Sequence, residues 1–195
     1  MIVIGIAGGT CSGKTSVARK ICNLSENCNI ISQDNFYRNN VSNYDHPDAI
    51  DFGLLKNAIE TLKRNQPATI PLYDFFNHRR SLETKTIEPS KILIVEGIFI
   101  FNPDLLPIFD IKIFIDVEAD IRLLRRIDRD ISQRGRNIKY IMQQYISYIK
   151  PGHDLFIEPS KKFADLIFPR GEENEIAINL IVQKIKHFKE KINIE

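Results

Sequence analysis

The chain has 195 residues, 43% of them hydrophobic, and a net charge of +2, which fits one domain with a sizeable core. So small a charge gives no overall attraction to a polyanion, and nucleic acid is not expected as a partner. No apolar run approaches the roughly 18 residues of a membrane span, and the first residues lack the basic start and cleavage site of a secretion signal. A cytoplasmic protein with no membrane partner is expected. Cys11, Cys22 and Cys28 lack C-x-x-C spacing, so they predict reduced thiols and neither a disulfide framework nor a zinc site.

The first predicted element is a strand, Ile2–Ala7. It runs into Gly8-Gly9-Thr10-Cys11-Ser12-Gly13-Lys14-Thr15, a full match to the phosphate-binding pattern G-x-x-x-x-G-K-[ST]. Phosphates need backbone N–H groups aimed inward along a tight arc, and Gly8 and Gly13 permit the dihedrals and close approach required. The helix that follows adds its positive end. Lys14 reaches the β- and γ-phosphates of a nucleotide and the Thr15 hydroxyl ligates Mg²⁺, with Ser16 at the head of the helix completing the nucleotide-binding set. Cys11 fills a variable loop position.

Further strands are predicted at Asn29–Ser32, Ile92–Val95, Ile111–Val117 and Ala164–Phe168. Helical periodicity marks Ser16–Leu24, Phe52–Arg64, Ala119–Gln133, Ile138–Ile149 and Glu173–Ile192. This alternation reads as a three-layer α/β/α fold, the P-loop NTPase class, with a mainly parallel five-stranded sheet. Residues about 67–90, with Pro71, Asp74 and Asn77 interrupting the aromatic stretch Tyr73 to Phe76, read as a β-hairpin leaving the main sheet. Residues about 119–150 read as a helical lid, with Gly135 as helix end or hinge. In the last helix Ile176, Leu180, Ile181, Lys184 and Ile185 are expected to form the core stripe.

A P-loop alone fits many nucleotide enzymes. No N-K-x-D guanine-recognition string and no LSGGQ-like transporter string occurs, which turns attention to a small-molecule kinase. Such an enzyme needs an acid for the metal, a base for the acceptor hydroxyl and arginines for the moving phosphoryl group. Glu96 and Asp116 both end apolar strands, where ligands of open α/β sheets bind. Glu96 is preferred, because Gly97 behind it permits close approach while Asp116 leads into a helix as a cap. Asp34, after the second strand, is either the base or a turn former. Arg122, Arg126 and Arg129 share a helix face, and Arg134-Gly135-Arg136 follows as a lid hinge. The bland alternative is a solvated face paired with Asp128 and Asp130, which would account for Arg125.

With these residues in view, the chain resembles the phosphoribulokinase and uridine kinase family of P-loop kinases over nearly its whole length. The likeness rests on Gly8–Thr15, Ser32–Tyr37, Asn43-Tyr44-Asp45-His46-Pro47, Pro71–Phe75, His78-Arg79, Glu96-Gly97-Ile98, the run from Arg125 to Arg136, Glu158–Lys161 and Ala164 to Gly171. The resemblance implies phosphoryl transfer from ATP or GTP to the 5′-hydroxyl of uridine or cytidine. It implies Asp34 as base, Thr15 and Glu96 at Mg²⁺, and Lys14, Arg129 and Arg134 at the phosphoryl groups. It further implies Tyr37, Tyr44, Tyr73 and His78 around the pyrimidine, Asp45 and Arg126 at the ribose, Arg136 and Gln144 nearby, and a homo-oligomer, a tetramer. Two departures stand out: a short segment from Arg38 to Asn43, and Gly152-His153 where the family carries bulkier residues. Another ribosyl acceptor such as nicotinamide riboside, or a nucleotide-binding protein without catalysis, remain as alternatives.

Overall fold

A computed structural model describes residues 1–192, with side chains through 187. The last three positions of the expected 1–195 domain lie outside the described residues. Among the described residues, seven strands form two sheets. The main sheet holds β1 (Ile2–Gly8), β2 (Cys28–Ser32), β5 (Ile92–Glu96), β6 (Ile111–Asp116) and β7 (Leu166–Pro169), in the order β2-β5-β1-β6-β7. Every pairing in it is parallel. The hairpin is a separate antiparallel pair, β3 (Ala68–Asp74) and β4 (Arg79–Ile87).

The near-continuous apolar strands follow from burial on both faces. Ile2, Ile4 and Ile6 of β1 pack with Ile92, Ile94, Ile113 and Ile115 against α1 (Lys14–Asn23) and α6 (Glu175–Ile192). Val3 and Ala7 point the other way, with Leu93, Val95 and Phe114, toward α2 (Phe52–Lys63) and the hairpin residues Ile70 and Ile87. The expected strands of the main sheet and four of the five expected helices are present with ends shifted by at most two residues; the hairpin ends three residues early, and the helix expected over Ile138–Ile149 is wound differently.

In α6 the core stripe differs from expectation. Ile178, Ile181, Val182 and Ile185 are buried, while Ile176 and Leu180 are 75% and 67% exposed. The apolar residues wrap further round the helix than one face, and the sheet takes the face centred on Ile178 and Ile181.

The lid contains α3 (Ala119–Ser132) and α4 (Ile138–Gln144). Between them Gly135 adopts a left-handed φ of 63° with open space where a Cβ would stand, as a helix end requires. The second helix does not stop at Ile149. It continues through a π-helical stretch (Tyr145–Ile149), the short α5 (Lys150–Gly152), a second π stretch (His153–Ile157) and a 3₁₀ turn to Phe163. Pro151 and Gly152 are absorbed by this looser winding, which accommodates local irregularity.

Candidate active site

The carboxyl edge of the sheet gathers the sequence-predicted groups. Ile6 pairs with Glu96 and Gly8 with Ile115, so the loop after β1 rises between the ends of β5 and β6. A Cβ on Gly8, at φ 144°, would stand 2.5 Å from the Ile115 carbonyl oxygen. Gly13 caps α1 in a left-handed conformation, which a side chain there would strain. Cys11 also sits at positive φ, 57°, in the arc. Ser12 is buried, and Thr10, Cys11, Thr15 and Ser16 keep partial or full exposure at the mouth. All three cysteines are free thiols.

Lys14 folds back so that its Nζ donates to the Gly9 carbonyl at 2.8 Å. Burial pushes its ammonium below its usual pKa, against the pull of Glu96 and Asp34. The Thr15 hydroxyl donates to Glu96 Oε1 at 3.2 Å. Burial raises the Glu96 carboxyl, the nearby Asp34 charge raises it further, and Lys14 with hydrogen bonds from Ser32 and Thr15 opposes them. Asp34 lies in a 3₁₀ turn, Gln33–Phe36, capped by the Ser32 side chain. Burial raises its carboxyl too, ahead of the lowering by Lys14, Arg134 and Arg129. One lysine and two carboxylates thus share a desolvated site, where charges act strongly on one another.

Beside this cluster stands an aromatic wall. The Tyr37 ring lies 5.5 Å from Tyr44 and 5.3 Å from Tyr73, and Tyr44 lies 5.2 Å from His78. Burial raises the Tyr37 hydroxyl well above its ordinary value, and the charges of Asp34 and Asp45 add to this. Arg80 fastens the hairpin that carries Tyr73 and His78: its Nε donates to the Tyr37 carbonyl at 2.9 Å, and its Nη2 pairs with Asp51 at 3.3 Å. Burial also raises the Asp45 carboxyl, while Arg126 pulls it back. Gln144 sits half-buried at the end of α4.

The arginines divide by partner. Arg126 donates to the Thr10 hydroxyl at 3.0 Å and pairs with Asp130 at 3.4 Å. Arg129, Arg134 and Arg136 pair with the same Asp130 at 2.8, 3.4 and 3.8 Å. Arg122 donates to the Val117 carbonyl at 2.9 Å, contacts His153 at 3.2 Å and covers Gly9, whose Cβ would meet its guanidinium at 2.5 Å. Arg125 pairs with Glu173 at 3.0 Å. The solvated-face alternative holds for Arg125 with another partner, the exposed Glu173, and is corrected for Asp130, which is buried and holds the arginines that resemble functional ones.

The profile of the phosphoribulokinase / uridine kinase family matches residues 3–177. The chain belongs to this family. Among its relatives, a protein named uridine kinase from Lactobacillus helveticus is 42% identical, covering 95% of this chain and 94% of that one. Another of that name from Clostridium botulinum is 43% identical, over 97% and 98% of the two chains. A solved structure titled a possible uridine kinase from Bacillus stearothermophilus superposes with a TM-score of 0.64, at 20% identity over 86% of this chain and 88% of that one. That structural likeness bears on the fold alone.

Against the family background, two sequence readings change. Gly97 makes room for a protein side chain and not for a ligand: its Cβ would stand 2.3 Å from Cβ of Gln33, whose Oε1 accepts from the Phe99 N–H at 2.8 Å. Asp116 does not cap α3; it pairs with Lys161 at 3.1 Å. The residues missed were Asp130, Arg80 and Gly152. An acid between flanking arginines and an arginine in a hairpin read as surface charges, and Gly152 stands out only as a departure from the bulkier residues of the family.

Proposed function

We propose that the protein is a uridine kinase, transferring the γ-phosphoryl group of ATP or GTP to the 5′-hydroxyl of uridine and of cytidine. The observation that carries this reading is the position of Asp34. Its charge acts on Lys14 of the P-loop and on Tyr37 and Tyr73 of the aromatic wall, which supports one carboxylate serving both donor and acceptor.

In this reading the nucleoside 5′-oxygen forms the new bond to phosphorus and the bond to the β,γ-bridging oxygen breaks, releasing the nucleoside diphosphate. Asp34 takes the hydroxyl proton, a task suited to a carboxylate whose pKa burial has raised. Lys14 leaves the Gly9 carbonyl for the β- and γ-oxygens, and Arg129 and Arg134 turn to the transferring group. The wall of Tyr37, Tyr44, Tyr73 and His78 receives the flat pyrimidine. Asp45 and Arg126 receive the ribose hydroxyls, with Arg136 and Gln144 beside them.

The neighbouring Thr15 hydroxyl and Glu96 carboxylate, 3.2 Å apart, are the hard oxygen donors that suit Mg²⁺, which takes one or two protein ligands together with phosphates and water. Held by these two groups, Mg²⁺ would supply positive charge to the phosphoryl donor. No helix among the described residues is long and apolar enough to cross a membrane, which supports a cytoplasmic setting. A homo-oligomer, a tetramer, belongs to this reading through the family resemblance alone. Sedimentation equilibrium checks that state.

An assay coupled to nucleoside diphosphate release tests the main reading across uridine, cytidine and nicotinamide riboside. Turnover of uridine and cytidine is expected. Turnover of nicotinamide riboside alone, or of none, overturns it.

A further inference from the structure

Four guanidinium groups converge on one carboxylate at the end of α3. Asp130 is 1% exposed and pairs with Arg126, Arg129, Arg134 and Arg136. Local helix physics alone disfavours an acid here, because the last turn carries the negative end of the helix dipole. The chain's reversal at Gly135 supplies the compensation: the Arg136 N–H donates to the Asp130 carbonyl at 3.0 Å, and the side chains of Arg134 and Arg136 return over the carboxylate.

Most of these arginines have a second contact, each on a different part of the site. Arg126 reaches the P-loop at Thr10 Oγ1, 3.0 Å. Arg134 lies 4.7 Å from the centre of the Phe75 ring on the hairpin. Arg136 meets His78 Nε2 at 3.1 Å. Arg129 is one of the positive charges that Asp34 feels. Asp130 is therefore the common node at which P-loop, hairpin and lid are set in register.

One carboxylate faces four cations, and the carboxyls of Asp34 and Asp45 act on Arg126, Arg129 and Arg134 from beside the cluster. Asp130 Oδ2 and Arg126 Nε are buried with no hydrogen bond. The ion pairs on that oxygen, at 3.4 and 3.8 Å, are long for charge-assisted bonds. Arg126 and Arg136 thus keep capacity to turn toward a ligand while staying within reach of the carboxylate.

We propose that Asp130 is a positioning residue that aligns Arg126 and Arg136 on the acceptor side and Arg129 and Arg134 on the phosphoryl side of the same site. It stands in for an anion until the triphosphate arrives. The inference rests on the reading of the chain as a uridine kinase.

Asp130→Asn keeps size and removes charge. We expect KM for uridine to rise and kcat to fall together, lowering kcat/KM about 100-fold, the scale of a misplaced reacting group. Asp130→Glu restores the charge one methylene away, and its kinetics should lie between those of Asn and wild type. The Arg129 Nε–H, which donates to Asp130 Oδ1 at 2.9 Å in the wild type, should exchange faster with solvent by NMR in the Asn variant, whose neutral oxygen accepts a weaker bond. Wild-type KM and kcat in a folded Asn variant overturn the proposal. So does a fall in kcat with KM for uridine unchanged, which is the mark of a smaller folded fraction.

If the Asn variant does not fold, the Glu variant decides: a KM for uridine above wild type at unchanged Tm supports the role, and wild-type kinetics overturn it. Wild-type enzyme inert toward uridine removes the acceptor assignment instead. The arginine exchange measurement then still decides whether Asp130 orders the cluster.

Discussion

Lys14 Nζ donates to the carbonyl oxygen of Gly9, 2.8 Å away and five residues back in the same loop. The P-loop lysine is thereby turned onto its own arc, and contact with a triphosphate exchanges that bond for bonds to phosphate oxygens. Lys14→Ala removes a donor directed at developing charge. Such a loss costs on the order of 10²–10³-fold in kcat, and steady-state assays at saturating uridine and nucleotide should show it. A variant within a factor of a few of wild type would place the lysine outside the chemistry.

Asp34 gives the second prediction. Burial raises its carboxyl pKa more than Lys14, Arg134 and Arg129 lower it. The base is active when ionised, so kcat/KM should fall as pH drops, with a midpoint above the ordinary carboxylate value of 3.8. Asp34→Asn should lose about 10²–10⁴-fold in kcat and lose this acid limb, with nucleotide binding by calorimetry retained. An unchanged turnover removes Asp34 as the base.

Gly152 owes its place to space and not to backbone freedom, for its φ of −65° is ordinary helix. A Cβ there would stand 2.3 Å from the Asp45 carbonyl oxygen. Glycine to alanine within a helix otherwise stabilises by roughly 0.5–1 kcal/mol. Here overpacking reverses the sign, and Gly152→Ala should destabilise by about 1–3 kcal/mol in urea unfolding. Because the displaced backbone carries Asp45, KM for uridine should rise with it. A stabilised variant with unchanged KM would show that the two segments separate freely.

How far these relationships could be read from sequence depends on what each residue touches. The sheet was legible because buried parallel strands need uninterrupted apolar runs, and five such runs alternate with helical periods. The phosphate loop was legible because its mechanism fixes residue types at fixed spacing. Asp130 was not, since a charge on a helix is ordinarily solvated and its partners Arg134 and Arg136 come back across a chain reversal at Gly135. The role of Gly97 was misread because the group it admits, Gln33, comes from another strand's exit. The continuation of the lid through Pro151 depends on π-helical winding, which no local propensity signals. The aromatic wall needed the family resemblance, for Tyr73 and His78 on their own read as hairpin surface residues.

The contact of Arg136 Nη2 with His78 Nε2, 3.1 Å, ties the lid to the hairpin through a titratable group. Guanidinium only donates, so Nε2 must accept and the proton belongs on Nδ1, a neutral imidazole. Burial lowers the His78 pKa, and the charges of Arg136 and Arg134 lower it further, with Asp74 opposing them. The ring therefore titrates below the ordinary value of 6.5. Above that value the contact is intact and contributes its full stability. As pH falls through the depressed pKa, the proton taken up at Nε2 removes the acceptor and sets like charges side by side. KM for uridine should be flat above pH 6.5 and rise in the acid range, about tenfold if a charge-assisted hydrogen bond is lost. His78→Gln offers an acceptor that does not titrate, so its KM should stay flat across the same range. The same acid rise in the Gln variant would assign the effect to another group.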